Sequence, residues 1–243
     1  MKHNWPNDAM FQLSKNTIKY IEDGILEHKV RLEHLRSNSI TLKHSEDATG
    51  QTDCLFLQLA CLVEIPKKIM EIGTWVGTSA YALSQASDAL IYTCDQGPDN
   101  FYIIEGQESY TDRIIRHPKT HSSEFFKKID GGFDFVFADA NLDDNDVKDI
   151  FKKCEDNFTF ITHDYYRLEK PKPVFCKGHH AALGMLKYAW KNGYETEGAS
   201  KLYPPSPDWY HSLGFHVHNF GKINICCAMI KFEKVKNFSH IME

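Results

Sequence analysis

At 243 residues the chain is long enough for one α/β domain of ordinary size plus an appendage. A hydrophobic fraction of 42% against 25% charged residues is globular, with no run near the roughly 18 apolar residues of a membrane helix, and Met1-Lys2-His3-Asn4-Trp5-Pro6 lacks a signal peptide's apolar core. A net charge of −5 argues against the basic face of a nucleic-acid binder, and seven cysteines without paired spacing argue for reduced thiols in a cytoplasmic compartment.

Residues 1–50 read as a helical extension, and 51–243 as the domain proper. Ile18, Ile21, Ile25, Leu32 and Leu35 recur at spacings of three, four and seven among charges. That predicts an amphipathic helix from about Ser14 to Arg36. Its apolar face either packs on the domain or serves as a cap or homodimer contact. Ser45 to Asp53 is polar and turn-rich, ending at a candidate N-cap, Thr52 or Asp53, before an apolar helix over Cys54 to Val63.

Lys68 to Ala80 organises the rest. Ile69, Met70 and Ile72 predict a buried strand, which breaks at Gly73; Gly77 follows four residues later, and Thr78 and Ser79 open a helix over Ala80 to Ala86. A strand, a glycine turn and the unpaired N–H groups of a helix start together cradle a nucleotide-like ligand. Glu71 stands as an acceptor near the strand's carboxyl end, where ligands of open α/β sheets bind. A dinucleotide fold needs Gly-x-Gly-x-x-Gly, and Trp75 occupies the place of its second glycine.

Leu90 to Asp95 predicts a strand ending in an acid, about 20 residues past the glycine turn, where such folds set a carboxylate on ribose hydroxyls. Asp99 to Gly106 reads as a turn and short helix, and Arg113 to His117 as a third strand stopped by Pro118. His121 to Glu124 then cap a helix running to Ile129. Gly131 to Asn141 contains a continuous aromatic and β-branched run, suited to a strand buried on both faces, with Asp139 at its carboxyl edge. After a helix over Asp144 to Glu155, Phe158 to Tyr166 predicts a fifth strand ending His163-Asp164-Tyr165. Arg167 to Lys177 reads as a loop, His179 to Lys191 as a helix, and the proline-broken Gly193 to Trp209 as a substrate-shaping insertion. Phe215 to Phe220 and Ile223 to Phe232 predict a closing hairpin.

Glu71-x-Gly73-x-x-x-Gly77-x-Ser79 resembles motif I of the class I methyltransferases that use S-adenosyl-L-methionine (SAM), and the strand ending at Asp139 is similar to their motif IV. The resemblance covers roughly Gln51 to Phe232. It implies a Rossmann-like class I methyltransferase fold: a seven-stranded, mostly parallel sheet with helices on both faces and a C-terminal antiparallel hairpin. It also implies cofactor contacts at Glu71, Gly73, Thr74, Gly77, Ser79, Asp95 and Asp139. The segment Thr49-Gly50-Gln51 would fold over the cofactor or simply start a helix, and Ser122 or Ser123 would touch the adenine or cap a helix. The strand ends Asp139, His163 and Asp164 resemble those of divalent-metal-dependent O-methyltransferases, including the cephalosporin-hydroxylase-like and macrolide-sugar groups. That likeness implies Mg²⁺ or Mn²⁺ on Asp139 and Asp164, with Asn141 as a neutral oxygen ligand.

His163 is then a base for the acceptor hydroxyl or an orienting hydrogen-bond partner, because Mg²⁺ prefers oxygen ligands. His179 is a substrate contact or an alternative base, since Cys176 with two adjacent histidines cannot surround zinc. Tyr165, Tyr166, Trp209 and Tyr210 would line a wall for a sugar or aromatic ring. The expected activity is methyl transfer to a hydroxyl of a small molecule or glycan, a sugar above a catechol-like acceptor. On the same fold the alternatives are an oxidoreductase, an N-methyltransferase and a non-catalytic subunit.

Overall fold

Short buried strands separated by helices set the architecture. The computed structural model describes residues 23, 26–31, 34–35, 51–101, 108–163, 166–167, 174–175, 177–196 and 227–234. Helix α1 (Gln51–Glu64) leads into β1 (Lys68–Ile72), α2 (Thr78–Ala86) and β2 (Leu90–Cys94). There follow α3 (Glu108–Thr111), β3 (Ile114–His117), α4 (Ser122–Lys128), β4 (Phe133–Ala138), α5 (Asp144–Lys153) and β5 (Cys154–Thr162). A two-residue antiparallel pair, β6 (Tyr166–Arg167) with β7 (Val174–Phe175), precedes α6 (Lys177–Lys191), β8 (Tyr194–Thr196) and β9 (Ala228–Lys234).

One seven-stranded sheet has the order β3-β2-β1-β4-β5-β9-β8. Strands β1 to β5 pair in parallel, and β9 runs antiparallel to both β5 and β8. This is a Rossmann-like sheet with a reversed strand wedged before its last one. Alternate residues feed two cores. Ile69, Phe135, Phe137 and Ile161 pack with Phe56, Leu57, Ala60 and Leu83 of α1 and α2. Met70, Ile72, Val136 and Phe160 pack with Phe125, Val147, Ile150 and Met185 of α4, α5 and α6. Helices therefore cover both faces, as a parallel sheet requires.

Two boundaries differ from the sequence reading. Helix α1 starts at Gln51, so Thr52 and Asp53 sit in its first turn rather than at its cap. A short helix, α3, runs over Glu108–Thr111, while residues 102–106 of the turn and short helix expected over Asp99 to Gly106 lie outside the described residues. Arg167 to Lys177 holds β7, and α6 begins at Lys177 itself. The second strand of the expected closing pair is in place, as β9, antiparallel to β5 along its length and to β8 at Phe232 to Lys234. Phe215 to Phe220 lies outside the described residues.

Candidate active site

Register brings the chemistry to one edge. Ile72 pairs with Cys94 and with Ala138, and Ala138 pairs with Thr162. The next residue of each strand, Gly73, Asp95, Asp139 and His163, therefore falls in one row at the sheet's carboxyl edge. Backbone bonds continue the ladder across that row: Gly73 N–H donates to Cys94 O at 2.9 Å, Asp139 N–H to Ile72 O at 2.8 Å and His163 N–H to Ala138 O at 2.9 Å.

The turn after β1 is built for close approach. Gly73 has φ of +100°, and a Cβ there would sit 2.6 Å from Asp139 O. Gly77, at φ +88°, forms the N-cap of α2 under the Phe101 ring. Only glycine meets both demands. Beneath the turn Glu71 is fully buried; Ser79 Oγ donates to its Oε1 at 2.5 Å, and Thr93 Oγ1 to its Oε2. Thr74 is hydrogen-bonded to Thr93 in turn. Burial pushes the Glu71 carboxyl up to about 7, against the lowering effect of Ser79 and Thr93 and with help from nearby Asp139 and Asp95. Glu71, Ser79 and Thr74 thus brace the turn from inside. Beside it, Asp95 accepts from Trp75 N–H at 2.8 Å and Gly97 N–H at 2.6 Å, one on each oxygen. A carboxylate has about four acceptor positions, so this leaves room for a vicinal diol.

At the other end of the row stands a charge cluster. His163 Nδ1 lies 3.2 Å from Asp139 Oδ1, and its Nε2 lies 3.4 Å from Asp53 Oδ2. Lys177 Nζ is 2.7 Å from Asp139 Oδ1 and 3.2 Å from the Asp139 carbonyl oxygen. Burial opposes charge on His163, yet its two carboxylates outweigh burial and raise the ring to about 10. His163 is therefore an imidazolium at neutral pH, ion-paired with both carboxylates. Burial also pushes Asp139 up, but His163 and Lys177 together hold its carboxyl below the usual range. Two carboxylates and two cations make a neutral set.

With that geometry in view, residues 70–165, from β1 to just past β5, match the family model described as a methyltransferase domain. No curated protein is significantly similar in sequence. Among solved structures, the SAH-bound methyltransferase PaMTH1 of Podospora anserina aligns over 92% of this chain and 95% of its own, at 16% identity and a TM-score of 0.47. TomG, the tomaymycin-synthesis O-methyltransferase of Streptomyces achromogenes, in complex with SAM, aligns over 73% and 80%, at 16% identity and a TM-score of 0.45. An O-methyltransferase of Bacillus cereus in complex with SAH aligns over 68% and 81%, also at 16% and 0.45. Likeness at this level says nothing about an acceptor.

The expected site residues fall into distinct places. Gly73, Asp95, Asp139 and His163 meet at the edge, and Gly77 tops α2. Ser122 is buried and Ser123 exposed in the first turn of α4, whose cap is His121. Their loop reaches the edge, since Thr120 N–H donates to Asp95 O at 2.8 Å. Asp164 lies outside the described residues, as does the side chain of His179. The expectation that His163 acts as a base meets its charge state, because an imidazolium has no lone pair with which to take a proton.

The described residues suit the organic cofactor better than a divalent ion. The glycine turn leaves room for close backbone approach, and Asp95 keeps acceptor positions for a diol beside it. Asp139, by contrast, already carries two cations, Asn141 is exposed after β4, and no group of three or more His, Cys, Asp or Glu among the described residues is arranged for a metal. Sequence reasoning missed Asp53 and Lys177. Asp53 carried a signal: it lies on the buried stripe of α1 with Leu57 and Ala60, and a carboxylate on an apolar stripe needs a partner.

Proposed function

We propose that this chain is a SAM-dependent O-methyltransferase acting on a hydroxyl of a small molecule or glycan, with a sugar as the favoured acceptor. The row of strand ends carries the reading: it sets a diol-binding carboxylate, a glycine turn and a charged cluster side by side at one edge. SAM, when bound, supplies a methyl group already activated by its sulfonium. Asp95 would accept hydrogen bonds from the ribose hydroxyls, and Gly73 would let the backbone approach the ligand. Both cations approach Asp139 through Oδ1, so Oδ2 is the oxygen for the acceptor. It accepts a hydrogen bond from the hydroxyl and orients it for in-line attack, and the proton passes on to solvent, because His163 and Lys177 make Asp139 too weak a base to keep it. His163 holds that carboxylate in place rather than acting as the base. The preference for a sugar rests on Tyr165, Tyr166, Trp209 and Tyr210, whose side chains lie outside the described part.

The test is thermal unfolding with S-adenosylhomocysteine. A ligand that binds the native state raises Tm by mass action, and Asp95→Ala is expected to remove most of that rise. Stabilisation by NAD, with none by S-adenosylhomocysteine, would replace this reading with an oxidoreductase.

A further inference from the structure

Facing carboxylates at a strand edge repel unless positive charge lies between them, and the usual sources are a divalent ion or a shared proton. Here the positive charge is part of the chain. Lys177, the first residue of α6, reaches across to Asp139 with contacts to both its carboxylate and its carbonyl oxygen. His163 lies between Asp139 and Asp53. Three elements besides β5 hold this arrangement: α1 through Asp53, the end of β4 through Asp139 and α6 through Lys177. The Lys177 side chain remains 31% exposed while Asp139 is 17% exposed, so the pair lies at the mouth of the edge.

We infer that Lys177 is a positioning residue that, with His163, supplies in fixed side chains the positive charge that facing carboxylates otherwise draw from a divalent cation, so that this site works without a metal ion. The inference deepens the methyltransferase reading, since it assigns what fixes Asp139 for the acceptor. An ammonium at 2.7 Å occupies the space in which a cation would bind Oδ1. It also ties the carboxylate to its own backbone, next to Gly73, and so sets the acceptor relative to the cofactor turn. No bond is made or broken by Lys177 in this role.

Metal binding is the readout, because a merely structural lysine would not change it. Mn²⁺ titrated into the full chain and followed by electron paramagnetic resonance is expected to show no stoichiometric site. Chelation with EDTA should leave Tm and turnover unchanged. Lys177→Glu places a third carboxylate against Asp139 and should make Tm rise by several degrees on adding Mg²⁺ or Mn²⁺, where the parent chain shows none. Should that variant fail to fold, Lys177→Ala is expected to gain Mn²⁺ binding in the same resonance experiment. Turnover should fall at least tenfold in Lys177→Ala and recover in part in Lys177→Arg. Stoichiometric Mn²⁺ on the parent chain, activity lost on chelation, or full turnover in Lys177→Ala would each overturn the inference. A missing response to S-adenosylhomocysteine would instead overturn the methyltransferase reading and leave the Mn²⁺ result standing.

Discussion

Two residues tie stability to pH in the same direction. His163 has its folded pKa raised from 6.5 to about 10, so its stabilising effect is complete below the unfolded value and is lost as pH rises through the folded one. Glu71 is raised from 4.5 to about 7; ionising it inside the fold becomes a growing penalty as pH rises between those values. Asp139, held low by His163 and Lys177, acts oppositely: its contribution is present above the usual carboxylate range and is lost as pH falls through its folded value. Stability should therefore peak in mild acid and decline steadily toward pH 10. Denaturant midpoints across that range check this. Glu71→Gln is expected to flatten the decline below pH 7, and His163→Asn the decline above it. A midpoint that climbs from pH 6 to 9 would contradict both assignments.

At the scale of elements, the glycine turn depends on Phe101. A Cβ on Gly77 would meet the ring at 2.4 Å, and the ring itself is stacked on Tyr81 at 5.9 Å beneath Arg116 at 4.8 Å. Gly77→Ala adds to that clash a left-handed backbone that costs an L-residue about 1–2 kcal/mol. Expected are a Tm lower by several degrees and weaker binding of S-adenosylhomocysteine. In a Phe101→Ala background the same substitution should cost less; an equal cost in both would show that backbone strain alone is responsible. The turn was legible because two glycines at fixed spacing follow an apolar run. So was β4, whose uninterrupted Phe133 to Ala138 fits burial on both faces. Strand ends were legible for the same reason, since apolar runs stop abruptly at Asp95, Asp139 and His163. The contacts of Asp53 with His163 and of Lys177 with Asp139 were not. Both come from helices outside the strands, and no local periodicity encodes a contact between a first-turn side chain and a strand end. The pairing of β9 with β8 was missed likewise, because a long insertion separates two segments with no turn chemistry in common.

For the whole molecule, the residues before α1 pose a question of assembly. Leu26 and Val30, one helical turn apart, are 80% and 82% exposed, whereas Leu35 is buried in the core beside α1 and α2. Arg31 reaches back to Gln85 O at 3.4 Å. One side of this segment thus contacts the domain while an apolar pair faces outward, and we propose that pair as a homodimer contact. Replacing both Leu26 and Val30 with Glu spares Leu35 and should convert a dimer to a monomer in light scattering, with the domain still folded. An unchanged mass would leave the pair as ordinary surface residues.

The wedge position of β9 also bears on how the chain is made. Strand β5 is complete by Thr162, but the strand that covers its outer edge is not synthesised until Ala228 to Lys234. Throughout the intervening translation, a nine-residue strand carries a bare row of backbone donors and acceptors. Strands β1 to β5 can form on the ribosome, but closure of the sheet waits for Ala228 to Lys234 to emerge. A nascent chain of this design is thus most vulnerable to edge-to-edge pairing with its neighbours on a polysome in the interval before β9 appears.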